Sequence, residues 1–337
     1  MIAYIIRRLL AALLLLFVVS VATFSIFFVV PRILGNSPET LASRYVGRTA
    51  GPEIVNQVAQ KLGFFDPVYV QYGRWVKGIF VGADYDIGGR IEHCPAPCLG
   101  YSFITQQPVL PDLLDRLPVT LSLAIGAAVI WLFFGIATGV VSALRRGSAL
   151  DRTAMTISLA GVSLPIFFTG MVTLLLFSYH LELTASGGSY TNFTDNPAEW
   201  AYNLILPWTT LAFLFSAQYA RLTRAGMLET MGEDYIRTAR AKGLGERAVT
   251  IKHGLRGALT PILTIFGLDF GLLIGGAVLT EKTFSLQGLG KYAIDGIVAN
   301  DLPKVMGVTL TAASFVILAS LIVDLLYAVV DPRVRLN

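Results

Sequence analysis

The sequence predicts an all-α, polytopic integral membrane protein with six transmembrane helices. Three observations carry that prediction. Of the 337 residues, 54% are hydrophobic and only 14% charged, whereas a soluble domain of this size carries about a quarter charged residues. Mean hydropathy is +0.65. Six apolar stretches are each long enough to cross about 30 Å of hydrocarbon as a helix, and basic residues cluster at their ends. The formal net charge is +4. A basic balance can signal nucleic acid, but here the charge sits beside apolar spans and builds no aromatic-interleaved surface, so no nucleic-acid partner is expected.

The first span, 9–30, is free of charge and follows Arg7 and Arg8. A cleavable signal peptide has a shorter apolar core and a small-residue cleavage site, so this span reads as retained, with its amino end inside. The second span is 119–144, stopped by Arg145 and Arg146. The third, 153–179, follows Asp151 and Arg152, and the fourth, 201–220, ends at Arg221. The fifth, 259–280, contains Asp269. The sixth, 305–330, contains Asp324 and precedes Arg333 and Arg335. Six crossings place these arginines and both termini in the cytoplasm, as the positive-inside bias requires. The connector 281–304 is a mild exception, with Lys282, Lys291 and Lys304. The chain divides into 1–31 (cytoplasmic N-terminus and first span), 32–117 (external loop) and 118–337 (core with five spans and a polar loop at 221–260).

The external loop has amphipathic pattern. Ile54, Val55, Val58 and Leu62 share one helical face. Asp66 and Pro67 suit the cap and first turn of another helix, whose stripe is Val68, Tyr72, Trp75, Val76 and Ile79. Such helices pack on the spans, lie at the membrane interface or receive a soluble partner.

No chemistry is legible. The nearest approach to a Walker A loop, residues 285–292, has Ser285 in place of the first glycine and Tyr292 in place of the magnesium-holding hydroxyl. His93, His180 and His253 lie apart, so neither a catalytic triad nor a metal set follows from spacing. No enzyme activity, no metal and no cofactor is expected of this chain. The sequon at Asn192 reads as a chance match.

The polar stretch 221–261 organises the rest. Arg221, Arg224, Arg237, Arg240, Lys242, Arg247, Lys252 and Arg256 stand against Glu229, Glu233, Asp234 and Glu246. Tyr235, Ile236, Ala239 and Lys242 keep helical spacing. Gly243 and Gly245 break that helix, and 246–259 reads as a second one. Two short helices at a glycine elbow form either a grip for another protein or a solvated hairpin with no partner.

The order of residues within it, TARAKGLG at 238–245 followed by KHGLRGALTP at 252–261, resembles the cytoplasmic coupling loop of ABC importer membrane subunits. The branch it resembles is the dipeptide/oligopeptide (peptide/nickel) one, and the B-type permease of its pair. The wider superfamily begins this loop Glu-Ala-Ala; here Arg237 and Thr238 replace the first two, as in the peptide and nickel branch. LGFFDPVYVQYGRWVKGIF at 62–80, RLPVTLSLA at 116–124 and SLPIF at 163–167 are similar to peptide permeases too, so the resemblance covers nearly the whole chain. It implies the type I ABC importer permease fold and a bacterial or archaeal cell membrane. It also implies a second homologous permease subunit, two ABC ATPase subunits holding ATP and Mg, and an extracytoplasmic substrate-binding protein. The implied cargo is a di- or oligopeptide; nickel, glutathione, haem or a glycoside is the alternative. A stand-alone ion-coupled carrier is a further rival, although hydropathy shows no inverted repeat. The implied ATPase contact falls on Tyr235, Thr238, Ala239, Arg240, Ala241, Lys242, Gly243 and Leu244.

Two features stay open. Relatives have a short link where this chain has GADYDIGGRIEHCPAPCLGYS at 82–102, which holds its only cysteines, Cys94 and Cys98. Outside the cytoplasm the pair favours a disulfide over free thiols or a metal site. Asp269, among Gly267, Gly271, Gly275 and Gly276, is a carboxyl at membrane depth. It is either a pathway group that meets a passing peptide's amino end or a hydrogen-bonded carboxyl at a helix seam. For Asp324 the second reading is expected.

Overall fold

The computed structural model describes residues 2–46, 51–87, 90–275 and 277–330, without the side chains of 2–5, 44–45, 87, 90 and 324–330. Gly276, Arg333 and Arg335 therefore lie outside the described residues, as does the side chain of Asp324. The first span is α1 (Ile2–Phe24), continued by a π-helical turn, Ser25–Val29, and α2 (Val30–Ile33). Three helices outside the spans follow: α3 (Pro38–Val46), α4 (Pro52–Lys61) and α5 (Val68–Val81).

The insert folds as strands, which the all-α expectation did not include. β1 (Ala83–Ile87) pairs antiparallel with β2 (Arg90–Cys94), and β3 (Tyr101–Ser102) with β4 (Gln107–Pro108). A disulfide joins Cys94 to Cys98, both buried, at the end of β2. Tyr85 stacks on Tyr101 at 5.3 Å, and burial pushes its phenol up to about 12.

The core follows as α6 (Val109–Leu144), α7 (Ala149–Ser163), α8 (Ile166–Thr173) with its π-helical extension Leu174–His180, and α9 (Pro197–Thr230). After α10 (Asp234–Ala241) come α11 (Glu246–Ala248), a π-helical stretch Val249–Leu255, and α12 (Arg256–Ile274). The chain ends in α13 (Val278–Thr283), α14 (Leu289–Ala299) and α15 (Leu302–Val330).

Among the described residues, four helices are long and apolar enough to cross a membrane: Ile6–Ile33, Val109–Leu144, Glu246–Ile274 and Leu302–Val323. The third predicted span is not straight. It is two helices, Ala149–Ser163 and Ile166–His180, bent by 103°, and gives a fifth crossing if the pair counts as one. The cause is local. Pro165 forces Leu164 out of the helical region, to ψ 130°, and offers no N–H to the turn before it.

The fourth predicted span lies inside α9 but is not among the four. Asn203, Thr209, Thr210 and Gln218 dilute its apolar character, and α9 packs against α6, α7, α8 and α12. A helix covered by other helices needs less apolar surface than one bathed in lipid. The fifth span also shifts. It begins at Glu246, runs without a break through the second loop helix, and stops at Ile274, so Val278 onward is a separate turn of helix. Helix α6 starts before its predicted bound, with Pro118 inside it. Its 36 residues span about 54 Å at 1.5 Å each.

Two seams hold the bundle. On α6, Gly126, Gly135 and Gly139 meet α9: a Cβ at Gly139 would stand 2.5 Å from Thr223 Cβ and 2.6 Å from the Ala220 carbonyl oxygen. Trp131, fully buried between them, stacks on Phe215 at 4.7 Å. On α12, Gly267, Gly271 and Gly275 meet Val323, Val316 and Ala312 of α15. Close backbone approach at small residues is how helices associate where lipid supplies no hydrophobic drive.

Helices α3, α4 and α5 pack on the spans. Leu41, Ala42, Ala59 and Phe64 join Phe24 and Phe28 of the first span with Leu302 and Met306 of the last, flanked by Val55, Val58, Leu62, Tyr72 and Trp75. Ile54 departs from the predicted face and is exposed. Pro67, not Asp66, caps α5; the Asp66 carboxylate accepts from Arg74 at 2.8 Å instead.

Glu281, fully buried on α13, anchors the start of α14. It accepts from Thr120 Oγ1 at 2.7 Å and from the Lys291 N–H at 2.9 Å, while Thr120 accepts from the Leu289 N–H at 2.9 Å. Burial pushes the Glu281 carboxyl up, against these hydrogen bonds, which pull it down.

The seam gives a direct test. Gly139→Leu is expected to lower stability by about 1–3 kcal/mol, because backbone stands where its Cβ must go. Gly73→Ala on α5, where nothing lies within 4 Å, is expected to be neutral or to stabilise by up to about 1 kcal/mol. Thermal unfolding of the purified protein measures both, and equal midpoints for the two variants would reject the seam.

Candidate functional site

The candidate site is the elbow between α9 and α12. Its position is set from α9 by Asp151, at the start of α7, which is 4% exposed. The Asp151 carboxylate accepts from Arg224 Nε at 2.7 Å and Nη2 at 2.9 Å, from the Gly147 N–H at 2.8 Å, and from the Ser142 hydroxyl. A buried carboxylate is tolerated when paired and hydrogen-bonded in this way. One knot thus ties the ends of α6 and α7 to α9, six residues before α9 ends. The sequence marks Asp151 and Arg224 only as flanking charges; nothing local announces that they meet.

Beyond α9 the chain turns at Met231 and enters α10. Ile236 and Ala239 point inward and are buried with Val249. Ala239 therefore packs into the loop's own core, not outward. Tyr235, Thr238, Arg240, Ala241, Lys242, Gly243 and Leu244 are exposed. Tyr235 and Leu244 are 43% and 42% exposed, large apolar side chains on an otherwise charged surface.

The elbow itself is closed by backbone. The Lys242 N–H donates to the Thr238 carbonyl at 3.0 Å, the Gly243 N–H to Arg240 at 2.9 Å and the Leu244 N–H to Ala239 at 3.3 Å. Gly243 has φ +75° with open space around it, so glycine is needed there for its backbone angle and not for room. Arg240 reaches across the elbow to Glu246, with Nε to Oε1 at 2.8 Å and Nη2 to Oε2 at 3.3 Å.

Past Gly245 the helix runs unbroken into the membrane core. Gly254 packs under Met231, Gly257 under Thr230 and the Tyr235 hydroxyl, and Gly226 on Ala258. The elbow is thus pressed against the first turns of the fifth span. Helix α10 meets this helix in two ways, through the short elbow and through the buried cluster of Ile236, Ala239 and Val249.

Asp269 lies further along α12. It is partly buried, and Tyr219 of α9 donates its hydroxyl to Asp269 Oδ2 at 3.0 Å. Tyr219 is fully buried beside Trp131. The glycines around Asp269 face α15, as described, while the carboxylate faces α9. No group of three or more His, Cys, Asp or Glu able to hold a metal occurs among the described residues.

Comparison with known proteins gives this geometry a family. Residues 135–336 match the family described as binding-protein-dependent transport system inner membrane component. Residues 1–124 match the N-terminal part of such membrane components. The chain is 39% identical over 335 residues, 99% of both chains, to a protein of Brucella abortus (strain 2308) provisionally named as a peptide transport system permease. It is 36% identical over 354 aligned positions, 99% of both, to the di/tripeptide transport system permease protein DppB of Pseudomonas aeruginosa (strain UCBPP-PA14). Against the dipeptide transport system permease protein DppB of Escherichia coli (strain K12) the identity is 38% over 310 residues, 86% of this chain and 87% of that one. This chain, with several apolar spans and a polar elbow wedged against its core, belongs to the binding-protein-dependent transport system inner membrane component family, the membrane-embedded permeases of ATP-driven importers.

Proposed function

We propose that this chain is the permease subunit of an ATP-driven importer of di- and oligopeptides, and forms half of its translocation pathway. The observation that carries the cargo is end-to-end similarity to permeases named for peptides, at 39% identity over 99% of the chain. Family membership argues against a stand-alone carrier. In this reading a second homologous permease subunit completes the pathway, two ABC ATPase subunits bind ATP and Mg, and an external binding protein delivers the peptide. Uptake of labelled dipeptides by the reconstituted system, against nickel, glutathione, haem and a glycoside, tests the cargo. Uptake of one of those others with no peptide uptake would replace it.

The proposed topology has six crossings with both termini in the cytoplasm of a bacterial or archaeal cell. The length of α9 supports the sixth: its 34 residues reach about 51 Å, enough to cross and to carry Arg221 and Arg224 out of the hydrocarbon. Single cysteine reporters at 51–80 and 181–200 are expected to react with impermeant maleimide in intact cells, and one at Lys242 to be protected. The native Cys94 and Cys98 are proposed to be oxidised in the cell and to label only after reduction. Labelling at Lys242 from outside would invert the topology; labelling of both native cysteines before reduction would remove the disulfide.

The elbow is proposed as the contact through which ATPase motion enters the membrane. Tyr235, Thr238, Arg240, Ala241, Lys242, Gly243 and Leu244 form its outer face, and Ala239 supports it from within. Leu244→Asp is expected to weaken ATPase docking by about tenfold or more, since it places a charge in an apolar contact. Gly243→Val is expected to cost about 1–3 kcal/mol of backbone strain and to abolish uptake. Ala239→Glu is expected to disorder the loop itself. Assembly, ATP hydrolysis and uptake are scored separately; wild-type uptake by all three variants rules the elbow out.

For Asp269 the hydrogen bond from Tyr219 favours an anchoring role over a pathway role. Asp269→Asn keeps an oxygen to accept that bond, so assembly and uptake are expected to stay within about twofold of wild type. Normal assembly with lost uptake of peptides bearing a free amino end gives the carboxylate to the pathway instead.

A further inference from the structure

A groove of about 350 Å³ runs between α1 and α15. Arg8, Ala12, Leu15 and Val19 line it on one side, Ala313 and Leu321 on the other. The two helices run antiparallel, since Phe24 and Phe28 share a cluster with Leu302 and Met306. Arg8 and Leu321 therefore stand at one end of the groove, Val19 and Ala313 at the other.

Three features define what would fill it. The first is length. From Arg8 to Val19 the helix rises about 16 Å, and one leaflet of a hydrocarbon core about 30 Å thick measures about 15 Å. The second is width. At the α12–α15 seam the helices close on their small residues, whereas Ala12 and Ala313 border open space. A helix with its side chains is about 10–12 Å across, so a groove of this volume drawn out over this length admits one hydrocarbon chain and not a helix. Left empty, such a slot forfeits dispersion contacts along both walls. The third is the placing of charge. Ser320, also on the wall, donates its hydroxyl to the Val316 carbonyl at 2.9 Å, so its proton is used within its own helix. Among the described lining residues Arg8 alone is charged, and it stands at the groove's end. A guanidinium has five N–H donors and takes a phosphate bidentately, so it holds one beside a protein partner.

We propose that this groove binds one anionic phospholipid of the surrounding bilayer. An acyl chain lies along Ala12, Leu15 and Val19, and the phosphate rests on Arg8. A zwitterionic lipid brings a cation as well, and the described walls hold no carboxylate to receive it. The site depends neither on a peptide cargo nor on which side of the membrane Arg8 faces.

The test uses the complete permease complex in nanodiscs of equal parts phosphatidylglycerol and phosphatidylcholine. One lipid or the other carries a diazirine in its acyl chain, and adducts are located by peptide mass spectrometry. At Leu15, Val19 and Ala313 the phosphatidylglycerol probe is expected to label about fivefold more than the phosphatidylcholine probe, the worth of one arginine beside an anionic headgroup. Leu10, Leu13 and Leu14, exposed on the far side of α1, report the bulk bilayer and are expected to take both probes alike. Arg8→Gln is expected to bring the groove to that bulk ratio. Arg7→Gln removes the same charge about 100° round the helix and is expected to leave most of the preference. Ala12→Phe fills the slot and is expected to remove label from Leu15 and Ala313 with either probe, while Leu10 and Leu14 stay labelled.

A groove ratio no higher than that at Leu10 and Leu14 overturns the proposal. Equal losses in Arg7→Gln and Arg8→Gln overturn it too, because they show a diffuse attraction and not a site. Groove positions that neither probe reaches, with Leu10 labelled, show that another protein segment covers them and remove the lipid.

Discussion

The ion pair between Asp151 and Arg224 is the constraint from which the half of this protein that carries the elbow follows. A carboxylate 4% exposed cannot stand alone near hydrocarbon; it needs charge and donors on every side. Here they come from three places in the chain: Ser142 at the end of α6, Gly147 in the turn, and Arg224 on α9. Satisfying one residue therefore fixes three helix ends. Because Arg224 lies just before α9 stops, the same knot fixes where α10 begins and how the elbow meets α12.

From there, small residues do the positioning. Gly226, Gly254 and Gly257 let the elbow and α9 approach α12 to contact distance, and Gly267, Gly271 and Gly275 carry that closeness on to α15. Helices packed backbone to backbone shift as units. From Glu246 to Ile274 the helix runs without a break, so the elbow is continuous with the span it packs against. Tyr219 and Asp269 add a polar tie between α9 and α12 at depth.

The other end of the bundle is built on the same logic with different parts. Glu281 and Thr120 bridge α6, α13 and the start of α14. A Cβ at Gly288 would lie 2.3 Å from the Glu281 carboxyl carbon, so any side chain there would have to push that carboxyl off its hydrogen bonds. Beside this, α3–α5 cover one end of α1 and α15, and the hairpin pinned at Cys94 and Cys98 lies against α5. The result is a layer with its own apolar core, separate from the seam where the bundle is held.

By itself the sequence determined the class of the protein. Long uncharged stretches such as 9–30 must leave water, and arginines at 7, 8, 145 and 146 mark where they stop. The glycine elbow at 243 was legible because φ +75° is a local demand that glycine answers. The stripes of α4 and α5 were legible because amphipathic periodicity is local too. Tertiary structure alone decided the rest. Polar α9 is excluded by composition yet covered by four neighbours, so hydropathy misjudges it. Residues 83–87 and 90–94 pair as strands because a cross-strand ladder and the disulfide at its end outweigh weak local preference. Ala239 faces inward because Val249, ten residues on, completes its core. Asp151 finds Arg224 across 73 positions, and Thr120 finds Glu281 across 161. Charges that far apart carry no periodic signal, since what joins them is the burial of each in a shared, water-poor interface, and only the folded chain creates that.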